Sequence, residues 1–319
     1  MTNVIPIQKP AGHDYSDWLP NIVRILEITR KTTKNGLVEN HARVKYGLFD
    51  GHVSWISQHA DTRLKHGVLA KVEWPARFSE NTETITIIRL VHLESAQPNL
   101  NPFETIPKTW VNDQTLIARV NLLWKALPQA YQSFLGELFW DSARFYRFLT
   151  APSSLNGHHN TWNGNFSHAV EVAERALCIA KDVPGVSAPL LILASLIHDA
   201  GKADEYRWND RAWVRTDAGS LVGHKDLLKA WMGAVFERKR DILPVAVRHA
   251  LWHTLFSARN APAYLDVRES CMLEADILSM ADRLSGTIDL HVRAANTHGG
   301  FGTRHEHLKA RPYRLPNLS

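Results

Sequence analysis

The sequence predicts a two-part α+β chain, a small five-stranded β-barrel followed by an all-α region. Three observations predict it. Apolar residues alternate with period two between residues 21 and 95. Residues 96–112, AQPNLNPFETIPKTWVN, are rich in proline and asparagine and read as a linker. From residue 113 onward the apolar residues recur at helical spacing.

The barrel elements follow in order. VRILEITR (23–30) is the first strand. In HARVKYGLFD, Ala42, Val44, Tyr46 and Leu48 fall on one face and His41, Arg43, Lys45 and Phe49 on the other, the pattern of a half-buried antiparallel strand. HVSWIS (52–57), GVLAKVEW (67–74) and ETITIIRLVHL (83–93) complete the set, with KNG and FDG as turns. Five strands with one short connecting segment near 59–64 suggest a barrel of the OB type, with a β-sandwich edge as the alternative. Arg30, Arg43, Lys45 and Phe49 are its candidate nucleic-acid contacts, since such barrels place basic groups along the strand backbone and aromatics under bases. Trp55 and Trp74 fall in core phase.

In the second part, DQTLIARVNLLWKAL and QAYQSFLGELFWDSARFYRFL are amphipathic and separated by a proline. A polar loop, APSSLNGHHNTWNGN, precedes SHAVEVAERALCIAK, APLLILASLIHDAG, HKDLLKAWMGAVFERK, LPVAVRHALWHTL and RESCMLEADILSMADRLSGTIDL. The expected division is a barrel at 20–95, a connector at 96–156, a helical domain at 157–290 and a basic extension at 291–319.

Composition narrows the function classes. The 319 residues carry 22% charged and 45% hydrophobic side chains, which excludes disordered, collagen-like and coiled-coil chains. Net charge is +5, which permits a polyanionic partner without requiring one. Two cysteines, Cys178 and Cys271, are too few for a disulfide scaffold or a thiolate zinc site. MTNVIPIQKPAGHD lacks the apolar core of a signal peptide, and no apolar run approaches the roughly 20 residues of a membrane span, so a soluble cytoplasmic protein is expected. Histidine is abundant: 17 in all, 11 of them after residue 151.

Those histidines have an order. An apolar helix ends in His198-Asp199, with Gly201 read as its stop. His168 lies 30 residues before His198 and His224 26 after; His253 follows 29 further on, and Asp282 29 beyond that. Each falls on a separate predicted helix, so five helices can converge their ligands on one internal site. Imidazole suits transition metals and a carboxylate can bridge two ions.

His168, His198-Asp199 and Asp282, in this order, resemble the signature of HD-domain metal-dependent phosphohydrolases. GHHNTWNGNFSHAVEVA (157–173), LVGHKDLL (221–228) and EADILSMADRLSGTIDL (274–290) resemble segments of the YhaM-type 3′→5′ exoribonucleases, which carry an OB barrel and a helical connector before an all-α HD-domain bundle. Gly164-Asn165-Phe166-Ser167 stands where those enzymes have Gly-Gly-Leu-Leu, and either His249 or His253 fills the next ligand place, with His253 preferred.

The resemblance implies a metal-dependent phosphodiesterase, a 3′→5′ exonuclease on single-stranded RNA or DNA. Its cofactor is a pair of divalent ions, Mn²⁺ first, with Mg²⁺, Fe²⁺, Ni²⁺ or Co²⁺ as alternatives. Two such ions about 3.5–4 Å apart can activate a hydroxide and hold a phosphoryl oxygen. Asp199 would bridge; His168, His198 and Asp282 would complete one ion, and His224 with His253 the other. Lys202 would offset phosphate charge, and His158 and His159 would bind phosphate or protonate the leaving oxygen. Trp208, Trp213 and Trp231 are candidates for base stacking or for packing. His291, His298, His305 and His307 are read as tail residues. Two other readings compete: a small-molecule nucleotide or cyclic-nucleotide phosphohydrolase, and an inactive nucleic-acid-binding accessory protein of a mobile element. The sequence leaves the oligomeric state open.

Overall fold

A computed structural model describes residues 19–76, 83–261, 264 and 266–316. The N-terminal segment read as lacking a signal peptide (residues 1–18) and residues 317–319 of the C-terminal extension lie outside the described residues. The chain divides into two compact units, Met1–Asp113 and Gln114–Ser319.

The first unit is a curled six-stranded sheet. Its strands are β1 (Ile22–Thr32), β2 (Val38–Tyr46), β3 (Phe49–Ser57), β4 (Leu69–Glu73), β5 (Thr84–Thr86) and β6 (Arg89–His92), in the order β5-β3-β2-β1-β4-β6. All pairs are antiparallel except β3 with β5. The single fifth strand expected over 83–93 is two short ones. The Ile87 amide donates to Ser54 beside β5 and the next amide, that of Ile88, donates to Glu73 beside β6, so hydrogen bonding passes from one sheet edge to the other at that point. The sheet is therefore a half-barrel rather than the five-stranded barrel expected. Val23, Ile25, Val44, Val53, Trp55 and Val72 form its core, with Trp74 packed against it.

One contact residue expected on the outer face is a core residue. Phe49 is buried, because the tight connection at 47–48 sets it opposite Tyr46 and starts β3 in the inward phase shared by Gly51, Val53 and Trp55. A period-two count carried through the turn inverts that parity. Arg43 and Lys45 do face outward, but Arg43 pairs with Asp50 (3.0 Å) and Lys45 Nζ donates to the Gly47 carbonyl. Arg30 donates to the carbonyls of Asp61 and Leu64.

The second unit begins with α1 (Gln114–Lys125), α2 (Gln129–Leu138) and α3 (Ser142–Thr150). The one long helix expected over 129–149 breaks at Asp141, whose side chain caps α3 by accepting from the Arg144 amide. Then come α4 (Gly164–Ala180) and α5 (Ala188–Ile197), the central pair. Helix α5 starts at the Ser187 cap with Pro189 in its first turn, and every residue from Leu190 to Ile197 is buried, as befits a helix apolar all round. Helix α6 (Lys202–Glu205) leads into a hairpin, β7 (Tyr206–Trp208) with β8 (Trp213–Arg215), which the sequence reading did not anticipate. Next follow α7 (Asp217–Leu221), α8 (His224–Arg238), α9 (Val245–Phe256) and the long α10 (Leu273–Ala294), which packs on α4 and α5. In the C-terminal extension β9 (Gly300–Phe301) pairs with β10 (Tyr313–Arg314). Among the described residues no helix is long and apolar enough to cross a membrane.

Candidate metal centre

The second unit gathers most of the predicted residues at one place. His168 comes from the first turns of α4, His198 and Asp199 from the end of α5, His224 from the first position of α8, and Asp282 from α10. Asp199 is the hub. Its Oδ2 lies 3.6 Å from His168 Nε2, 3.4 Å from His198 Nε2 and 2.5 Å from Lys202 Nζ, and its Oδ1 lies 3.3 Å from His224 Nε2. Asp282 Oδ1 lies 3.0 Å from His168 Nε2 and 3.8 Å from His198 Nε2. Two overlapping triads have ligand atoms close enough to share an ion: His168, His198 and Asp199, and His158, His168 and Asp282.

Each imidazole is turned so that Nε2 faces the carboxylates, and a partner on the far side fixes that orientation. His198 Nδ1–H donates to the Ser195 carbonyl at 2.8 Å. His224 Nδ1–H donates to Glu205 Oε2 at 2.8 Å, and Arg215 pairs with the other oxygen of Glu205 at 3.3 Å. The Ser285 hydroxyl gives its proton to Glu171 and therefore accepts from His168 Nδ1–H at 3.2 Å. Such far-side partners hold the tautomer that leaves an Nε2 lone pair free for a metal.

The electrostatics agree. Burial pushes His168 down to about 4, with Asp282 opposing, so the ring is neutral near pH 7. Burial also opposes charge on His198, but Asp199 and Asp282 outweigh it and raise its pKa. Asp199 and Asp282 are held far below the usual carboxylate range. Burial works against this, and it is outweighed at Asp199 by Lys202 and the surrounding histidines and at Asp282 by His168 and His198. The fit to a metal rests on one atom in particular. His198 Nε2 is buried, has no hydrogen-bond partner and faces two anionic carboxylates. A divalent cation satisfies all three groups, and the mixed imidazole–carboxylate donor set suits a first-row transition metal.

The remaining predicted residues are placed as follows. Lys202 is inside the cluster, where its ammonium donates to Asp199 and, at 3.1 Å, to Ser153 Oγ, so its charge is already partnered. The His158 ring lies 5.1 Å from that of His168, packed against Gly286, where a Cβ would come within 2.9 Å of Nδ1. His159 has a left-handed backbone (φ 45°), with its amide on Asp289 at 3.0 Å and its Nε2 3.3 Å from Ser285 Oγ. His253 is not brought to the cluster. Its Nε2 accepts from the Cys271 amide at 3.0 Å, because the buried stripe of α9 runs through Leu251, Thr254 and Leu255 and leaves His253 off that face. His249 is exposed. Trp231 is a packing residue, buried, bonded to Asp204 and covered by Arg144.

Sequence reasoning missed Ser285, Glu171 and Glu205. A signal existed for two of them: Glu171 lies three residues after His168, and Ser285 three after Asp282, each on the same helix face as its ligand. Ser285→Ala is expected to weaken Mn²⁺ binding about 10–100-fold while leaving the fold intact, since it frees the His168 ring without changing the ligand set. Calorimetric titration of the metal-free protein with Mn²⁺ reads this directly, and an unchanged Kd would show that Ser285 has no orienting role.

The cluster opens on a cavity of about 530 Å³, walled by Ser154–His158, Tyr206, Arg215, Asp282, Arg283 and Leu290. That volume suits a ligand of nucleotide size. His307, read as a tail residue, also lines it.

Residues 165–287 match the HD domain family. No curated protein matches the chain. An HD domain indicates a metal-dependent phosphohydrolase, and the matched span begins three residues before His168 and ends five after Asp282.

Proposed function

We propose that the chain is a metal-dependent phosphodiesterase of the YhaM type that shortens single-stranded RNA or DNA from its 3′ end. The observation that carries the phosphodiester reading is the juxtaposition of the His/Asp cluster with a nucleotide-sized cavity bearing two guanidinium groups, Arg215 and Arg283. The 3′→5′ direction is supported by the resemblance of segments 157–173, 221–228 and 274–290 to those exoribonucleases.

His168, His198, Asp199 and Asp282 would hold one divalent ion, and His224 stands beside Asp199 for a second. When bound, such ions supply Lewis acidity at the phosphoryl oxygens and a nucleophile near neutral pH. The protein's own groups do the rest. Arg215 and Arg283 bind and orient the phosphate from the cavity wall, as planar guanidinium groups do best. Lys202 holds Asp199 in place against Ser153. His158 lines the wall with its Nε2 lacking a hydrogen-bond partner, so the neutral ring can donate a hydrogen bond to a substrate phosphate oxygen. In the first unit the exposed Lys31 and Lys34 beside the β1–β2 turn are the basic groups suited to contact a phosphate backbone.

A 5′-labelled single-stranded oligonucleotide incubated with the Mn²⁺-loaded protein is expected to give a ladder of shorter 5′-labelled products. Metal-loaded protein that leaves the oligonucleotide intact but hydrolyses members of a nucleotide and cyclic-nucleotide panel would replace this reading with that of a small-molecule phosphohydrolase. Retained oligonucleotide binding without cutting, in a protein in which elemental analysis finds no metal even after incubation with Mn²⁺, would favour the accessory-protein reading.

A further inference from the structure

Three tryptophans that the metal centre does not use form one exposed cluster. Trp162 and Trp208 are 43% and 45% exposed, far above what packing residues show. The ring centroids of Trp162 and Trp213 are 5.3 Å apart at 44°, those of Trp208 and Trp213 5.7 Å apart at 65°, and those of Trp162 and Trp208 5.9 Å apart at 85°. The indoles therefore brace one another edge to face and leave ring area to solvent.

The cluster sits on the two segments that wall the cavity. In the β7–β8 hairpin Tyr206 pairs with Arg215 and Trp208 with Trp213. Residues two apart on a strand, and residues directly opposite across an antiparallel pair, share a face. One face of this ribbon thus carries Tyr206 and Arg215, which line the cavity, and about 7 Å further along carries Trp208 and Trp213. The other wall, Ser154–His158, continues to Trp162 four residues later. A basic end and an aromatic end thus lie along one face of the hairpin. That sequence of chemistries fits a nucleotide chain, whose phosphates alternate with flat apolar bases.

We propose that Trp162, Trp208 and Trp213 are a stacking platform for unpaired bases of the strand whose terminal phosphodiester lies at the His/Asp cluster. This rests on the phosphodiesterase reading above and specifies the ligand: single-stranded nucleic acid, gripped by its bases without regard to their identity, because every base offers a π-face.

The test uses the full-length, Mn²⁺-loaded protein and two fluorescein-labelled probes, a phosphorothioate-linked ten-residue oligothymidylate and an abasic oligomer of the same length and charge. Trp208→Ala is expected to raise the Kd for oligothymidylate about tenfold, with Trp208→Phe recovering most of the affinity and neither variant altering binding of the abasic oligomer. For the unmodified oligothymidylate the loss is expected in KM rather than kcat. Equal affinity of Trp208→Ala and the parent for oligothymidylate, while the parent still shortens the unmodified strand, overturns the platform alone. Equal losses on both probes also overturn it, since they assign Trp208 a structural role. A parent protein that neither binds nor shortens oligothymidylate overturns the platform and the phosphodiesterase reading together. If Trp208→Ala instead dissociates an oligomer in sedimentation without changing nucleic-acid affinity, the surface belongs to a contact between copies of the chain and the platform is rejected.

Discussion

Asp199→Ala is expected to abolish turnover and strip the protein of metal. Among the described residues the carboxylate is the one group within 4 Å of three imidazoles and an ammonium, so no described neighbour can replace it. Several kcal/mol of charge stabilisation leave with the metal, and each 1.36 kcal/mol is tenfold in rate, so kcat should fall by about 10³-fold or more. Elemental analysis of the purified variant reads the metal and a single-turnover assay reads the rate. Stability should fall too. Lys202 would remain buried beside Ser153 without its anion, and breaking such a pair costs about 3–5 kcal/mol. Adding Lys202→Met to the variant should restore most of the lost Tm without restoring activity, which separates the chemical role of Asp199 from its structural one. Parent-level activity in a metal-free Asp199→Ala protein would end the metal-dependent account.

Gly201→Ala is the second change with a large expected effect. The sequence marks Gly201 as a helix stop, but its φ of −61° is open to any residue. What requires glycine is space: a Cβ there would lie 1.9 Å from the His224 carbonyl oxygen and 3.0 Å from the Leu228 amide. The first turn of α8 rests directly on this backbone, which is how His224 reaches Asp199. A methyl group would displace His224 by about an ångström, a shift that typically costs about 10²-fold in rate. The overpacking should cost about 1–3 kcal/mol of stability. Steady-state kinetics at saturating Mn²⁺ should show the loss. Gly233→Ala, in the same helix with nothing within 4 Å of the added Cβ, should keep full activity and gain stability. A fully active Gly201→Ala enzyme would contradict the proposed placing of His224.

These two residues show what the sequence could and could not reveal. His168, His198, Asp199 and Asp282 were legible because helical periodicity puts each on a definite element and their order repeats a known signature. Asp199 reads in the sequence as a bridging ligand, and the structure sets His168, His198, His224 and Lys202 around it. His253 was misassigned to the cluster because spacing along the chain says nothing about which way a helix faces; the Leu251–Thr254–Leu255 stripe decides that, and it turns His253 toward Cys271. The hairpin at 206–215 was invisible because three-residue strands are too short to show alternation. Phe49 was misplaced because a turn resets the in-out phase of a sheet. Of the far-side partners, Glu171 and Ser285 left only the weak trace of their i+3 spacing from His168 and Asp282, and Glu205 left none, since any acceptor at the right place serves and that place is a tertiary fact.

The reach of the His168–Asp282 contact has a kinetic consequence. Its two ends are 114 residues apart in the chain. At 5–20 residues per second, a ribosome needs roughly 6–23 s to travel between them. During that interval α4 and α5 can pair through neighbouring sequence, while the carboxylate that closes the centre has yet to be made. Contacts this distant slow folding, because the loop's entropy must be lost before the contact forms. The centre is thus expected to be among the last parts of the domain to close, because Asp282 arrives only when α10 docks on α4 and α5.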